Sequence, residues 1–274
     1  MHNGVAFVIP VFNQLQYTTN CLASLNADGV ADAQVIVVNN ASTDQTGPFL
    51  AGRPQLRTIT NTANLGCSAA WNQGVEAANA LWTVVLNNDV VIAPGFVEGL
   101  LGFATGSGCD IVSPSIGEGE LDYELKGFAR DFTSRMAKVS RRDVAFGVCF
   151  MVHRRVFDKI GVFDTRLGQA GYEDEDFFRR ARPAGFRLGT TGRAYLHHFG
   201  SVTQKSVKAS LGLPPRARLA DQDYFRKKHG RNWLRRRLDK WQTKWRWAIW
   251  RRRERRHNGL ALVMRRAGGQ WVVA

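Results

Sequence analysis

Four short polar clusters close apolar runs in the first ninety residues: Pro10-Val11-Phe12-Asn13, NNASTD at 39–44, NTANLG at 61–66 and Asn87-Asn88-Asp89. Asn87-Asn88-Asp89 gathers hard oxygen donors. Magnesium and manganese take such oxygens when they bind a diphosphate through one or two carboxylates together with phosphate oxygens. Asp89 carries the one full charge of the three, and the local alternative is a plain polar turn at a strand end. Asn39, Asn40 and Asp44 offer amide and carboxylate groups, and an amide presents both a donor and an acceptor, as the edge of uracil or thymine requires. The same three residues also suit a turn and a helix cap, and the two roles are compatible.

Glu173-Asp174-Glu175-Asp176 places four carboxylates in succession. They repel one another unless something compensates. Either they favour the positive end of a helix that begins there, or one of them points into a cleft and works as a general base. His197 and His198 close a further apolar run, as a structural pair or with one imidazole joining Asp89 at a metal. Cys21, Cys67, Cys109 and Cys149 are too evenly scattered for a zinc pattern and read as reduced, mostly buried thiols.

The elements that must position these groups are legible as alternating runs. Val5–Pro10, Ala33–Val38, Arg57–Thr60, Trp82–Leu86 and Asp110–Ser113 read as strands. Helical stretches stand between them at Tyr17–Leu25, at Ser68–Ala80 and after Pro94-Gly95. That order argues for βαβ units and a mainly parallel sheet. Ligands of such sheets bind beyond the carboxyl ends of the strands, so the four clusters are expected to converge. Gly117–Asp143, polar and short of apolar periodicity, reads as a long mobile loop or an excursion near the site. Ala145–Val152 reads as a buried strand. Phe157–Phe163 is a helix end and turn, and a helix opens at Tyr172 and stops before Pro183. A last strand lies within Arg187–Phe199.

The net charge of +15 is local. Residues 226–274 hold 17 of the 38 Lys and Arg but only Asp239 and Glu254 of the 23 acidic residues, so residues 1–225 are neutral as a group. This step divides the chain into a catalytic unit, 1–225, and a basic Trp/Arg-rich extension, 226–274. Within the extension Leu234, Leu238, Trp241, Trp245, Ala248 and Ile249 form an apolar stripe at helical spacing, with Trp247 and Trp250 outside it. Such a helix suits an anionic membrane interface; packing on the catalytic unit or a second subunit, and nucleic-acid binding, are the alternatives. No apolar run approaches the length of a membrane span, and the N-terminus lacks the pattern of a secretory signal.

VIPVFNQ, VVNNASTD, NTANLGCSAAWNQG, VVLNNDVVIAPGF, GVCFMVHRRVFDKIGVFD, YEDEDFFRRARPAGFR and HHFGS, in that order, resemble the family 2 glycosyltransferases of GT-A fold. Rhamnosyltransferases and other builders of O-antigen and envelope glycans belong to this group. The resemblance runs from about Val5 to Gly230. It implies an α/β GT-A fold, with a mainly parallel central sheet flanked by helices and followed by the basic amphipathic tail. It further implies that Pro10, Phe12, Asn39, Asp44, Asn64, Gly66 and Asn88 line the nucleotide site. Asp89 and His198 would hold a divalent metal, manganese or magnesium, and Asp174 would be the general base. Two positions depart from the usual pattern: Asn39 stands where Asp is common, and Asn occupies the first two places of the metal motif.

The implied activity is inverting transfer of a sugar from a UDP- or dTDP-sugar to a saccharide acceptor, lipid-linked, in envelope polysaccharide or lipopolysaccharide synthesis. The expected place is cytoplasmic and peripheral at the inner membrane face. A non-catalytic module that holds a nucleotide sugar or a membrane is the second class of function; the Asp89, Asp174 and His198 set argues against it. Nucleic acid is not an expected partner.

Overall fold

Successive residues of Val5–Val11 (β1) face different apolar layers, and this alternation organises the molecule. Phe7, Ile9 and Val11 join one buried cluster, while Ala6 and Val8 join another on the opposite face. A strand covered on both faces reads as a continuous apolar run, as this one does. The computed structural model describes residues 4–167, 171–200, 221–230 and 233–273.

After β1 come α1 (Leu15–Ala27), β2 (Val35–Asn39), α2 (Thr46–Ala51), β3 (Arg57–Thr60), α3 (Cys67–Ala78), β4 (Trp82–Leu86) and β5 (Val90–Ile92). Then follow α4 (Phe96–Ser107), β6 (Ile111–Glu118), α5 (Leu125–Met136), β7 (Ser140–Arg142), β8 (Cys149–His153) and α6 (Arg154–Ile160). The chain continues with α7 (Glu173–Ala181), β9 (Leu188–His198), α8 (Asp221–Lys228), α9 (Trp233–Asn258), β10 (Val263–Ala267) and β11 (Gln270–Val273). The main path across the sheet is β11-β10-β6-β8-β4-β1-β2-β3, with β9 paired to β5, β6 and β7. Helix α1 lies on one face through Leu22 and Leu25, and α3 on the other through Ala70 and Trp71. A Cβ on Gly74 would stand 2.2 Å from Val8, so glycine lets α3 lie close on β1.

The sheet is mixed rather than mainly parallel. β1, β2, β3 and β4 pair in parallel. β8 runs antiparallel between β4 and β6, and β5 and β7 pair antiparallel with β9. Parallel pairing requires a crossover connection, usually a helix, and the regular βα alternation ends after α4.

Residues 117–143 are not a loop. Leu125, Phe128, Ala129, Phe132 and Met136 lie at helical spacing along α5 and pack against Tyr195, Leu262 and Met264. Charged residues between them, such as Arg130 and Asp131, mask the periodicity, although they occupy the other face.

The extension is built into this framework. β10 pairs in parallel with β6, and β11 completes a hairpin, so the charge step at 225/226 does not coincide with an end of the sheet. Helix α9 is held by Arg141, whose Nε and Nη2 donate to the two carboxylate oxygens of Glu254, each at 2.8 Å. Both side chains are buried. The Arg141 guanidinium also lies over the rings of Trp247 and Trp250, at 4.9 and 5.5 Å. The two tryptophans outside the expected stripe are thus the ones that dock. Trp241, Trp245 and Ile249 of the stripe are exposed rather than packed on residues 1–225. The side chains of Leu234 and Leu238 lie outside the described residues. No helix among the described residues is long and apolar enough to cross a membrane.

Glu254→Ala leaves Arg141 buried without its counter-charge, and breaking such a pair costs about 3–5 kcal/mol. Chemical denaturation is expected to register a loss of that size; a loss below about 1 kcal/mol, the range of exposed pairs, would show that the clamp does not hold the helix.

Candidate active site

The carboxyl ends of the parallel strands meet through direct hydrogen bonds. After β1, the Asn13 amide oxygen accepts from the Thr43 backbone N–H at 2.7 Å, and the Asn13 N–H donates to Ser42 Oγ at 2.8 Å. After β2, Asn39 Oδ1 accepts from the Ser42 N–H, and Asp44 accepts from the N–H groups of Leu15 and Thr46. Burial acts to raise the Asp44 carboxyl, but the hydrogen bonds from Thr46, Leu15 and Gln14 outweigh it and hold it below the ordinary aspartate range. The buried Asn40 amide donates to the Gly66 carbonyl and accepts from Asn61. Asn64 Oδ1 accepts from the Gly66 N–H, just before α3 begins. Pro10 and Phe12 are half-buried, Asp44 and Asn64 exposed, Asn39 and Gly66 buried. Asn13, Gln14 and Ala41 have positive φ without being glycine, a costly conformation that concentrates at functional loops.

The turn after β4 connects this region to the remaining candidates. Asn88 is buried, and its amide donates to Thr18 Oγ1 of α1 at 3.0 Å. Asp89 is buried beside His198, with Asp89 Oδ2 3.5 Å from His198 Nε2. The pairing of β5 with β9 sets this contact, since Val90 lies opposite His198 and the Phe199 N–H donates to the Asp89 carbonyl. His197, one residue away, points to the other side. Its Nε2 is 3.0 Å from the Gly119 carbonyl and its Nδ1 3.0 Å from the Tyr123 hydroxyl. Burial lowers its pKa to about 4, so the ring is neutral at pH 7 and donates from Nε2 to the carbonyl. His198 is therefore the imidazole that faces Asp89.

No group of three or more His, Cys, Asp and Glu side chains that could hold a metal exists among the described residues. One carboxylate and one imidazole nonetheless fit magnesium or manganese, which commonly leave most coordination positions to water and phosphate oxygens.

The four carboxylates at the start of α7 have separate surroundings. Glu175 pairs with Arg179 at 2.6 Å, and Asp176, fully buried, with Arg180 at 2.9 Å. Lys228 and His229 also reach Asp176, at 2.6 and 2.9 Å, and Lys228 bridges to Asp164 at 2.8 Å. Tyr224 donates to Asp164 as well. The segment Asp223–Gly230 thus pins α7 to the loop after α6.

Asp174 rests on Gly147, where a Cβ would stand 2.0 Å from its Oδ2, a separation no side chain can occupy. Its carboxylate accepts from the Glu175 N–H at 2.8 Å. Burial raises the pKa of Asp174 above the ordinary aspartate value, against the opposing backbone N–H groups of Glu175 and Gly147. Burial pushes the Cys67 thiol up, and the charges of Glu173, Asp174 and Asp89 all add to that push. The backbone joins the two turns, because the Asn87 N–H donates to the Val148 carbonyl, beside Gly147.

Gly147 was not singled out by sequence reasoning, which placed it inside an uninterrupted strand. β8 begins only at Cys149, and Phe146–Val148 form a turn. The available signal was a glycine within an apolar run, which marks a bulge or a close approach. Asn13, Asn61 and Thr18 were also missed as partners, because their roles depend on cross-loop contacts.

A sequence profile described as Glycosyl transferase family 2 matches residues 6–161. An uncharacterized protein of Mycobacterium tuberculosis is 30% identical over 207 residues, covering 73% of this chain and 76% of its own length. An N-acetylglucosaminyl-diphospho-decaprenol L-rhamnosyltransferase of the same organism is 26% identical over 229 residues, 69% and 74% of the two chains. The succinoglycan biosynthesis protein ExoO of Rhizobium meliloti is 28% identical over 139 residues, half of this chain and 40% of ExoO. Among solved structures, Staphylococcus aureus TarS 1–349 superposes with a TM-score of 0.56 over 80% of this chain and 67% of its own, at 17% identity, a likeness of fold.

Proposed function

The chain belongs to glycosyl transferase family 2, and from that premise we propose that it moves one sugar from a uridine or thymidine diphosphate carrier to a saccharide hydroxyl, with inversion at the anomeric carbon. The observation that carries this reading is Asp174: a carboxylate held on a glycine, raised in basicity by burial, on a turn that is hydrogen-bonded to the Asn87-Asn88-Asp89 turn. A base works best when its pKa approaches the operating pH, and the burial of Asp174 moves it that way.

Pro10, Phe12, Asn39, Asp44, Asn64, Gly66 and Asn88 form the wall for the nucleotide in this reading. Asn39 and Asp44 already brace the loop between β2 and α2, so base and ribose would meet groups held in place. Asp89 and His198 would hold magnesium or manganese, which when bound neutralises charge on the leaving diphosphate. Asp174 then accepts the proton of the acceptor hydroxyl as its oxygen bonds to the anomeric carbon from the face opposite the diphosphate. The carbon–oxygen bond to the diphosphate breaks in the same displacement.

The acceptor we infer is a lipid-linked saccharide used in envelope polysaccharide or lipopolysaccharide synthesis, met at the cytoplasmic face of the membrane. Two relatives support this class: one is named for a decaprenol diphosphate acceptor and another for succinoglycan biosynthesis. The transferred sugar, hexose or deoxyhexose, is set by contacts beyond the nucleotide wall.

Asp174→Asn is expected to lower transfer by about 10²–10⁴-fold, the usual contribution of a positioned base, while calorimetry finds nucleotide affinity unchanged. In the parent protein, kcat/KM falls as pH drops through a value above the ordinary 3.8 of aspartate. Near-normal turnover of the variant, or an acid limb at or below 3.8, would remove Asp174 from the role. Asp89→Ala is expected to weaken binding of the nucleoside diphosphate in manganese and to leave it unchanged in chelator. Equal weakening in both would argue against a metal contact at Asp89.

A further inference from the structure

Helix α9 has two apolar faces, and among the described residues the fold buries one of them. Trp247, Trp250 and Glu254 face Arg141, and Trp247 also meets the ring of Phe146 at 5.8 Å. On the other side Trp241, Trp245 and Ile249 are 59%, 56% and 45% exposed, and the two tryptophan rings touch each other at 5.6 Å. Further along the same side the residues change to arginine, and Ala248, Arg251, Arg252 and Arg255 line a shallow groove. The outer side therefore runs from aromatic to cationic along its length.

We propose that this outer face of α9 docks on the surface of an anionic phospholipid bilayer, with Trp241, Trp245 and Ile249 entering the interface and Arg252 and Arg255 meeting lipid phosphates. Charge selects this occupant. Lys244, Arg246, Arg252, Arg253, Arg255 and Arg256 are exposed on the helix, whereas its one acid in this stretch, Glu254, is buried against Arg141. A second copy meeting the same face would bring two such cation sets together. Residues 1–225 as a group carry no net negative charge to offset them. An exposed isoleucine beside two tryptophans gains from an apolar interface and nothing from a bare phosphate chain. Each cation near an anionic leaflet adds about 1 kcal/mol.

The docked helix is also linked to the candidate site. The buried side of α9 packs on Phe146, the residue before Gly147, which supports Asp174. The helix that carries the outer face is thus joined through Phe146 to the turn under the carboxylate that would receive the acceptor hydroxyl. The biological use of this placement rests on the lipid-linked acceptor proposed above, but docking itself is measured without sugar transfer.

The test is sedimentation of the full chain with vesicles of phosphatidylcholine alone or mixed with phosphatidylglycerol, at low and high salt. Binding is expected to the mixed vesicles at low salt, and to fall with salt. The triple variant W241A/W245A/I249A is expected to weaken it by about tenfold or more. The double variant R252Q/R255Q is expected to weaken it roughly thirtyfold. Both variants should turn over a soluble acceptor at the parent rate. Equal binding to both vesicle types, no binding at low salt, or a solution dimer that dissociates in the triple variant would each overturn the proposal. Vesicle binding in a protein that transfers no sugar to any acceptor would leave the docking face standing and remove the transferase reading.

Discussion

Much of this structure depends on one close approach, that of the Asp174 carboxylate to the backbone of Gly147. The turn around Gly147 is a junction. Val148 accepts from Asn87 and so fixes the Asn87-Asn88-Asp89 turn, Phe146 donates to Ser113 of β6, and the Phe146 ring meets Trp247 of α9. Strand pairing then brings His198 to Asp89 from the far side. Carboxylate, candidate metal ligands and the C-terminal helix are thus referred to a single turn of backbone. A glycine there is a requirement of space, since any side chain would collide with the group proposed to act as base.

Charge is partitioned with equal economy. Glu175 and Asp176 are neutralised by cations one helical turn away, and Asp176 also gathers Lys228 and His229. The run of four acids that looks self-repelling in sequence thereby ties α7 to α8, while Asp174 is kept apart from those cations. The positive charge at the other end of the chain is arranged differently. The pair of Arg141 with Glu254 orients α9, and Lys244, Arg246, Arg252, Arg253, Arg255 and Arg256 of that helix are exposed. One helix is thereby both a component of the folded core and the carrier of a free basic surface.

The βα half of the molecule was legible because its strands are buried on both faces and each ends in a polar cluster; β3 and β4 lie within the bounds read from sequence. Periodicity failed where charged residues interrupt an apolar face, as in α5, and where two apolar faces overlap on one helix, as in α9. In α9 the sequence identified Trp247 and Trp250 as exceptions to a stripe without revealing that they form a second one. The choice between His197 and His198 came from motif register, and only the pairing of β5 with β9 gives it a physical cause. Gly147 was hidden because a glycine inside an apolar run carries no mark of what approaches it. The wider lesson is that convergence of strand ends can be read from order and spacing, whereas what supports each group depends on contacts between distant turns.

The most direct test of this account is Gly147→Ala, studied by steady-state transfer kinetics together with calorimetric binding of the nucleoside diphosphate. The account predicts a folded protein that binds nucleotide with parental affinity and has lost most of its turnover, because a methyl group would occupy the place of the Asp174 oxygen. Parental turnover in a folded Gly147→Ala protein would contradict the claim that this contact positions the base.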